Sequence, residues 1–402
     1  MLERVPKRFR WIFRVLSPKN NSWLSTLCGC FLFLCLFIPV AMKSRYDRLV
    51  VLYGSRFGHF LTNTEFFFND AKNGNLDLSR SGFFILCQSV DSYELKILIE
   101  QAYGISIFSG SYGRAIFAIN SLFTSEIIDT RPLTSPSTFP FESEINKLIR
   151  KPSVPEKYVT ISIRNGNYSK YFQGGGETTF RDTPIEHMKN SILKLQNLGY
   201  KVFLVNKNPF DQEKLASLGV LGTKYGGLAH SWSLIKGADF HIDTCTATSL
   251  VAAFCSTPVV NINTFFAGSF DTQFYTNGNV GIYLPILLYD SRRKVFCSVE
   301  ETISFLIKME SDLHASTIYS KEYMESRGMF WQSNSQALID QTIDEMLAYV
   351  NGCQSSQELQ QRFWDVYPDI WVNISEPAVV FYDAKIRTNL RVSSSYLEMF
   401  LD

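Results

Sequence analysis

Three clusters in this 402-residue chain combine residue types and spacing suited to a charged or hydroxylated ligand. The first is Gly54-Ser55-Arg56-Phe57-Gly58-His59. Its glycines permit a tight turn, and the His59 imidazole, titrating near neutrality, can take a proton from a hydroxyl as a general base. A histidine that caps or packs a helix fits the same place, and both readings stay open. The second cluster is Arg164-Asn165-Gly166-Asn167-Tyr168, with Arg181-Asp182 further along. A guanidinium pairs with phosphate oxygens through two parallel hydrogen bonds and offsets negative charge on a departing diphosphate, a role that needs no metal. Arg164 and Arg181 suit ordinary ion pairs as well.

The third cluster follows Asp239-Phe240-His241-Ile242-Asp243 and reads Thr244-Cys245-Thr246-Ala247-Thr248-Ser249. Hydroxyls and unpaired N–H groups at a helix start can hold a nucleotide diphosphate or a ribose. Asp243, Thr246, Thr248 and Ser249 are therefore candidate nucleotide-binding residues. Simple helix capping explains one of these hydroxyls but not a run of them.

Other chemistries lack their residues. The chain has no Walker A loop, no HExxH, no GxSxG and no Asp-x-Asp pair to hold Mg²⁺ or Mn²⁺. The histidines, at 59, 187, 230, 241 and 314, have no paired ligand spacing, so no metal site is expected. With 39 basic against 38 acidic side chains the net charge is +1, which gives no field for a nucleic-acid partner. The cysteines are scattered without CxxC spacing and read as reduced thiols.

The elements that must position these clusters follow from the apolar pattern. Short apolar runs alternate with longer amphipathic ones, which predicts βαβ units and parallel sheets. In a first α/β lobe, strands are predicted at 48–54, 82–87 and 105–108, and helices at 58–71, 92–103 and 114–123. Between Thr130 and Pro155 the prolines at 132, 136, 140, 152 and 155 suit a linker. A second α/β lobe has predicted strands at 158–163, 201–205, 239–243 and 258–262. Its predicted helices are 183–198, 212–218, 231–237 and 247–254, followed by helices at 299–309 and 336–349 and a tail. The expected division is 1–45, 46–150, 151–310 and 311–402, the last a helical extension and tail. Each cluster then falls after a strand and ahead of a helix, where open α/β sheets bind ligands.

Ahead of the lobes, Trp23 to Met42 carries no charged residue, over about the ~20 residues a bilayer-spanning helix needs. Arg4, Lys7, Arg8, Arg10, Arg14 and Lys19 precede it, interleaved with Phe9, Trp11, Ile12, Phe13 and Leu16. A basic amphipathic stretch and an uncleaved transmembrane or membrane-associated helix are expected, so the membrane is an expected partner. The sequons at Asn20, Asn167 and Asn373 bear on the protein only in a secretory lumen.

From Ser55 nearly to its C-terminus the chain resembles a family of bacterial glycosyltransferases of GT-B-like architecture. The resemblance rests on Arg56-Phe57-Gly58-His59-Phe60 with Asn63-Thr64-Glu65, on Ile163-Arg164-Asn165 with Tyr168, on Phe180-Arg181-Asp182, and on Asp239 to Ser249. It implies two Rossmann-like parallel-sheet lobes, with the acceptor on the first and a nucleotide-sugar donor on the second. It further implies a metal-independent hexosyl- or related transfer to a glycan or lipid-linked acceptor, in surface polysaccharide or glycolipid synthesis. No cofactor beyond the donor substrate is implied. His59, Arg164 and Arg181 would be catalytic, on the cytoplasmic face of a membrane. Asn165 stands where the family has an acid, and the strand 202–205 ends without the family's arginine; Lys207 is the replacement phosphate partner, a point charge rather than a fork. The alternatives are a nucleotide-sugar hydrolase or epimerase, and a non-catalytic membrane-tethered scaffold of the same fold.

Overall fold

The computed structural model describes residues 46–54, 57–74, 76–86, 92–121, 124, 126–130, 143–154, 156–164, 182–205, 212–222, 227–264, 280–313, 321–353, 357–366 and 390–401. The expected membrane helix at 23–42 lies outside them. Among the described residues no helix is long and apolar enough to cross a membrane. The chain divides into two compact units between residues 133 and 134, within the proline-rich stretch.

The first unit is a parallel sheet of β1 (Arg48–Val51), β2 (Ser81–Phe84), β3 (Ile107–Phe108) and β4 (Glu126–Asp129), in the order β3-β2-β1-β4. Helices Phe57–Asn73, Tyr93–Tyr103 and Gly110–Asn120 connect the strands. Local chemistry sets their ends. Ser92 Oγ accepts the Leu95 amide at 3.1 Å, and Gly104, at φ 63°, closes the same helix where a side chain would be strained. Leu49, Phe84, Ile116 and Phe117 pack into a buried cluster, each worth about 1.5–3 kcal/mol of burial. Gly113 lets the third helix lie against β3, because an added Cβ would come 2.6 Å from the Phe108 carbonyl carbon.

The second unit is built on a fully parallel sheet. Its strands are β5 (Tyr158–Ser162), β6 (Lys201–Leu204), β7 (Leu221–Gly222), β8 (Phe240–Asp243), β9 (Val259–Thr264), β10 (Gly281–Pro285) and β14 (Leu390–Val392), in the order β14-β10-β9-β8-β5-β6-β7. Strand order reverses between β5 and β8: from β5 the chain runs outward through β6 and β7, then returns to β8 and runs the other way. That is the doubly wound arrangement, with its switch point at the carboxyl ends of β5 and β8. Ile161, Ile242, Val260 and Ile262 are fully buried, as expected of parallel strands covered on both faces. A small antiparallel sheet, β12 (Val295–Phe296), β11 (Leu287–Asp290) and β13 (Met329–Gln332), follows β10.

The structure differs from the sequence expectation in several regions. Residues 311–402, expected as a helical extension and tail, supply β14, which pairs with β10, and helix Ser394–Phe400, which packs against helix Gln336–Val350. Their described parts belong to the second unit. β4, β7 and β10 to β13 are likewise absent from the sequence expectation. β4 carries only Ile127 and Ile128 between two acids, too short an apolar run to register as a strand.

Candidate functional site

The carboxyl ends of β5, β8 and β9 bring together most of the described residues to which the sequence assigns chemistry. Register places Ser162 beside Asp243 and Asp243 beside Asn261, with Thr160 beside His241 one step below. Alternate residues of a strand share a face, so Thr160, Ser162, His241, Asp243 and Asn261 form a polar stripe on one face of the sheet. All five are buried. Buried polar groups in a core cost free energy unless hydrogen-bonded, and most of these are.

Asp243 is the hub. Its Oδ2 accepts the Thr246 amide at 2.7 Å, and its Oδ1 accepts the Thr246 hydroxyl at 2.5 Å and the Thr248 hydroxyl at 2.8 Å. Ser162 Oγ lies 3.0 Å from Thr246 Oγ1, and Ser249 Oγ donates to the Thr246 carbonyl at 3.1 Å. The hydroxyl run that reads as a ligand cradle is thus spent largely on the chain itself, bracing the turn into helix Thr248–Phe254. Cys245 takes φ 58° in that turn, a left-handed conformation that a non-glycine residue adopts only when its surroundings impose it. His241 spans Thr160 Oγ1 at 2.9 Å from Nδ1 and Thr248 Oγ1 at 3.0 Å from Nε2. Burial pushes its pKa down to about 3, so the ring is neutral at physiological pH.

Across the switch point, the Arg164 amide donates to Thr244 Oγ1 at 2.6 Å and the Thr244 amide to the Ser162 carbonyl at 3.0 Å. The Arg164 side chain is buried and its Nε lies 3.3 Å from Asp182 Oδ1. Its carbonyl accepts the Thr183 amide at 3.2 Å, so the chain on either side of 165–181 is clasped at one point. A second network holds that point from β9 and the segment after β13. Asn263, at φ 56°, donates to Thr183 Oγ1 at 2.8 Å and accepts from the Asn334 amide at 2.9 Å and side chain at 2.8 Å. Ser333 Oγ donates to the Asp182 carbonyl at 3.1 Å.

The remaining expected residues fall elsewhere. His59 lies in the first turn of helix Phe57–Asn73, after β1 in the first unit. Arg181 and Lys207, with Arg56 and Asn165, lie outside the described residues. Thr160, Ser162, Asn261, Asn263, Asn334 and the bridging role of His241 escaped sequence reasoning. For all but Asn334 the signal was present: polar residues at every second position of three strands that are otherwise apolar. Three polar atoms of this region, Asn261 Nδ2, Thr264 Oγ1 and Asn334 Oδ1, are buried without a hydrogen-bond partner among the described residues. Register sets Asn261 beside Tyr283 and Thr264 beside Pro285, so these two project from the stripe's face. Among the described residues no group of three or more His, Cys, Asp or Glu is placed to hold a metal ion.

No family model matches the chain, and no curated protein is similar to it in sequence. Among solved structures, the chain is similar to E. coli heptosyltransferase WaaC with ADP, at 12% identity and a TM-score of 0.39, over 59% of this chain and 91% of that one. It is also similar to the glycosyl transferase family 9 protein from Veillonella parvula DSM 2008, at 12% identity and a TM-score of 0.40, over 77% and 99% of the two chains. A third is E. coli ADP-heptose lps heptosyltransferase II, at 9% identity and a TM-score of 0.36, over 53% and 84%.

Proposed function

We propose that this protein is a glycosyltransferase that moves a sugar from a nucleotide-diphosphate donor to a hydroxyl of a glycan or lipid-linked acceptor. The observation that carries the reading is the position of Arg164 and Asp243 on the two sides of the β5/β8 switch point, where doubly wound sheets take nucleotides. The buried polar atoms of Asn261 and Thr264, without partners among the described residues, add polar capacity that a ligand or ordered water would use.

In this reading the turn 244–247 carries the diphosphate, and Arg164, Arg181 and Lys207 neutralise the charge that builds on it as the glycosidic bond to the donor breaks. His59 takes the proton of the acceptor hydroxyl, the oxygen of which forms the new bond to the sugar. No metal is needed, because fixed cations do the work of Mg²⁺. The stretch 23–42 anchors the protein on the cytoplasmic face, raising the local concentration of a lipid-linked acceptor.

One observation favours a second reading. The Arg164 side chain is buried against Asp182, which suits a non-catalytic membrane-tethered scaffold that keeps the fold without the reaction. Incubating the full chain in detergent with nucleotide sugars, with and without lipid-linked glycan, and measuring nucleotide diphosphate release separates the possibilities. Release that requires acceptor supports transfer; release without it indicates a hydrolase; none from any donor leaves the scaffold.

A further inference from the structure

The hydrogen atoms on the buried polar stripe can be counted. The Thr246 and Thr248 hydroxyls lie 2.5 Å and 2.8 Å from Asp243 Oδ1 and 2.9 Å from each other, and because a carboxylate only accepts and is a stronger acceptor than a hydroxyl, each proton is assigned to Asp243. Thr248 Oγ1 is then left with lone pairs, and the His241 Nε2 that approaches it at 3.0 Å must carry the ring proton. With the ring neutral in its buried site, Nδ1 is an acceptor, and Thr160 Oγ1 at 2.9 Å donates to it. The order that follows from giving the carboxylate both protons is Thr160 to His241, His241 to Thr248, Thr248 to Asp243; the opposite tautomer would turn Nδ1–H toward Thr160 and make Thr248 donate to Nε2.

We propose that His241 is a positioning residue of the nucleotide-binding turn, held as the Nε2–H tautomer by Thr160 so that it aims the Thr248 hydroxyl at Asp243. Asp243, so fixed, holds the Thr246 amide at 2.7 Å and with it the turn that runs through the left-handed Cys245. The inference rests on the donor-site reading above. It adds a residue lying a full strand step beneath that site, in register with Thr160 rather than with Ser162. A histidine that merely filled space would have no need of two hydroxyl partners in this order. Its ring also lies 3.9 Å from Asp243 Oδ1, so a protonated ring would place a cation beside the carboxylate; the two states differ in the proton on Nδ1.

The test uses the full chain in detergent micelles with ring-¹⁵N-labelled histidine, the His241 signals being assigned by their loss in His241→Gln. Nε2 should resonate as a protonated nitrogen and Nδ1 as an unprotonated one, without change as the pH is lowered through the normal histidine range. A proton on Nδ1, alone or with Nε2, overturns the proposal. ADP, UDP and GDP are then titrated into the same protein. For the nucleotide that the wild type binds best, His241→Phe, which keeps the bulk, should weaken binding about tenfold, roughly one buried hydrogen bond to a charged network. His241→Gln, whose amide nitrogen can donate to Thr248, should recover most of that loss; equal behaviour of Phe and Gln overturns the proposal. If the wild type binds none of the three, the donor-site reading fails on its own. Amide exchange at Thr246 then decides the role of His241: faster exchange in Phe but not in Gln upholds positioning, and no difference refutes it.

Discussion

Arg164 and Thr244, 80 residues apart in sequence, are joined by a 2.6 Å hydrogen bond from the Arg164 amide to the Thr244 hydroxyl. The bond ties the exit of β5 to the exit of β8 at the point where the second sheet reverses its winding. With the returning Thr244 amide bound to the Ser162 carbonyl at 3.0 Å, the floor of the proposed crevice is fixed before any ligand arrives. Thr244→Val removes that hydroxyl at nearly constant volume and takes this acceptor from the Arg164 amide. The expected loss is about 1–3 kcal/mol in urea unfolding, with a matching loss of nucleotide binding.

His241 gives the fold an acid sensitivity of known sign. Its folded pKa is depressed to about 3 from 6.5 by burial, so in the acid range the unfolded chain binds a proton that the folded chain refuses. Stability from this group is fully present above pH 6.5 and falls as the pH drops toward 3. Between pH 7 and 5 the loss should be about 2 kcal/mol, at ~1.4 kcal/mol per unit below the unfolded value. The stability of the wild type relative to His241→Gln should fall by about 2 kcal/mol between pH 7 and 5; parallel urea midpoints across that range contradict it.

Gly113 offers a test of the first unit by itself. Gly113→Ala places a Cβ against the Phe108 backbone, 2.6 Å from its carbonyl carbon, where no flexible side chain can yield. The helix Gly110–Asn120 must move off β3, at a cost of about 1–3 kcal/mol. Thermal unfolding should show it. Gly104→Ala is strained for another reason, its φ of 63°, and should cost about 1 kcal/mol.

The thiols should differ in reactivity. Burial pushes the Cys255 thiol up to about 12, while Cys353 is exposed beside the end of helix Gln336–Val350. Alkylation by iodoacetamide under native conditions, read by peptide mass spectrometry, should modify Cys353 long before Cys245, Cys255 or Cys297. Rapid labelling of Cys255 would mean that the helix Thr248–Phe254 opens.

The sequence reveals the α/β character of both units, because β5, β8 and β9 are short apolar runs between amphipathic ones. It also reveals the turn after Asp243, where Thr and Ser crowd the start of a helix. What those hydroxyls bind was not legible, since the partners of Thr246 and Thr248 include Ser162 and His241, set by sheet register rather than by spacing along the chain. The same limit hides β14: Leu390–Val392 is too short to stand out, and its pairing with β10 joins residues over a hundred positions apart. Arg164 was legible as a strand-end arginine, but its burial against Asp182 depends on how the chain returns at Thr183.

The most direct test of the donor site is a titration of the full chain in detergent with ADP, UDP, GDP and their sugar conjugates, following the melting temperature. Arg164→Lys, which keeps the buried charge but loses the planar fork, and Asp243→Asn, which puts a donor where three donors converge, are run beside the wild type. A rise in melting temperature for one nucleotide family, reduced in both variants, is the predicted result. No shift in the wild type at millimolar nucleotide, or a shift that both variants retain in full, would contradict a donor site at the β5/β8 switch point.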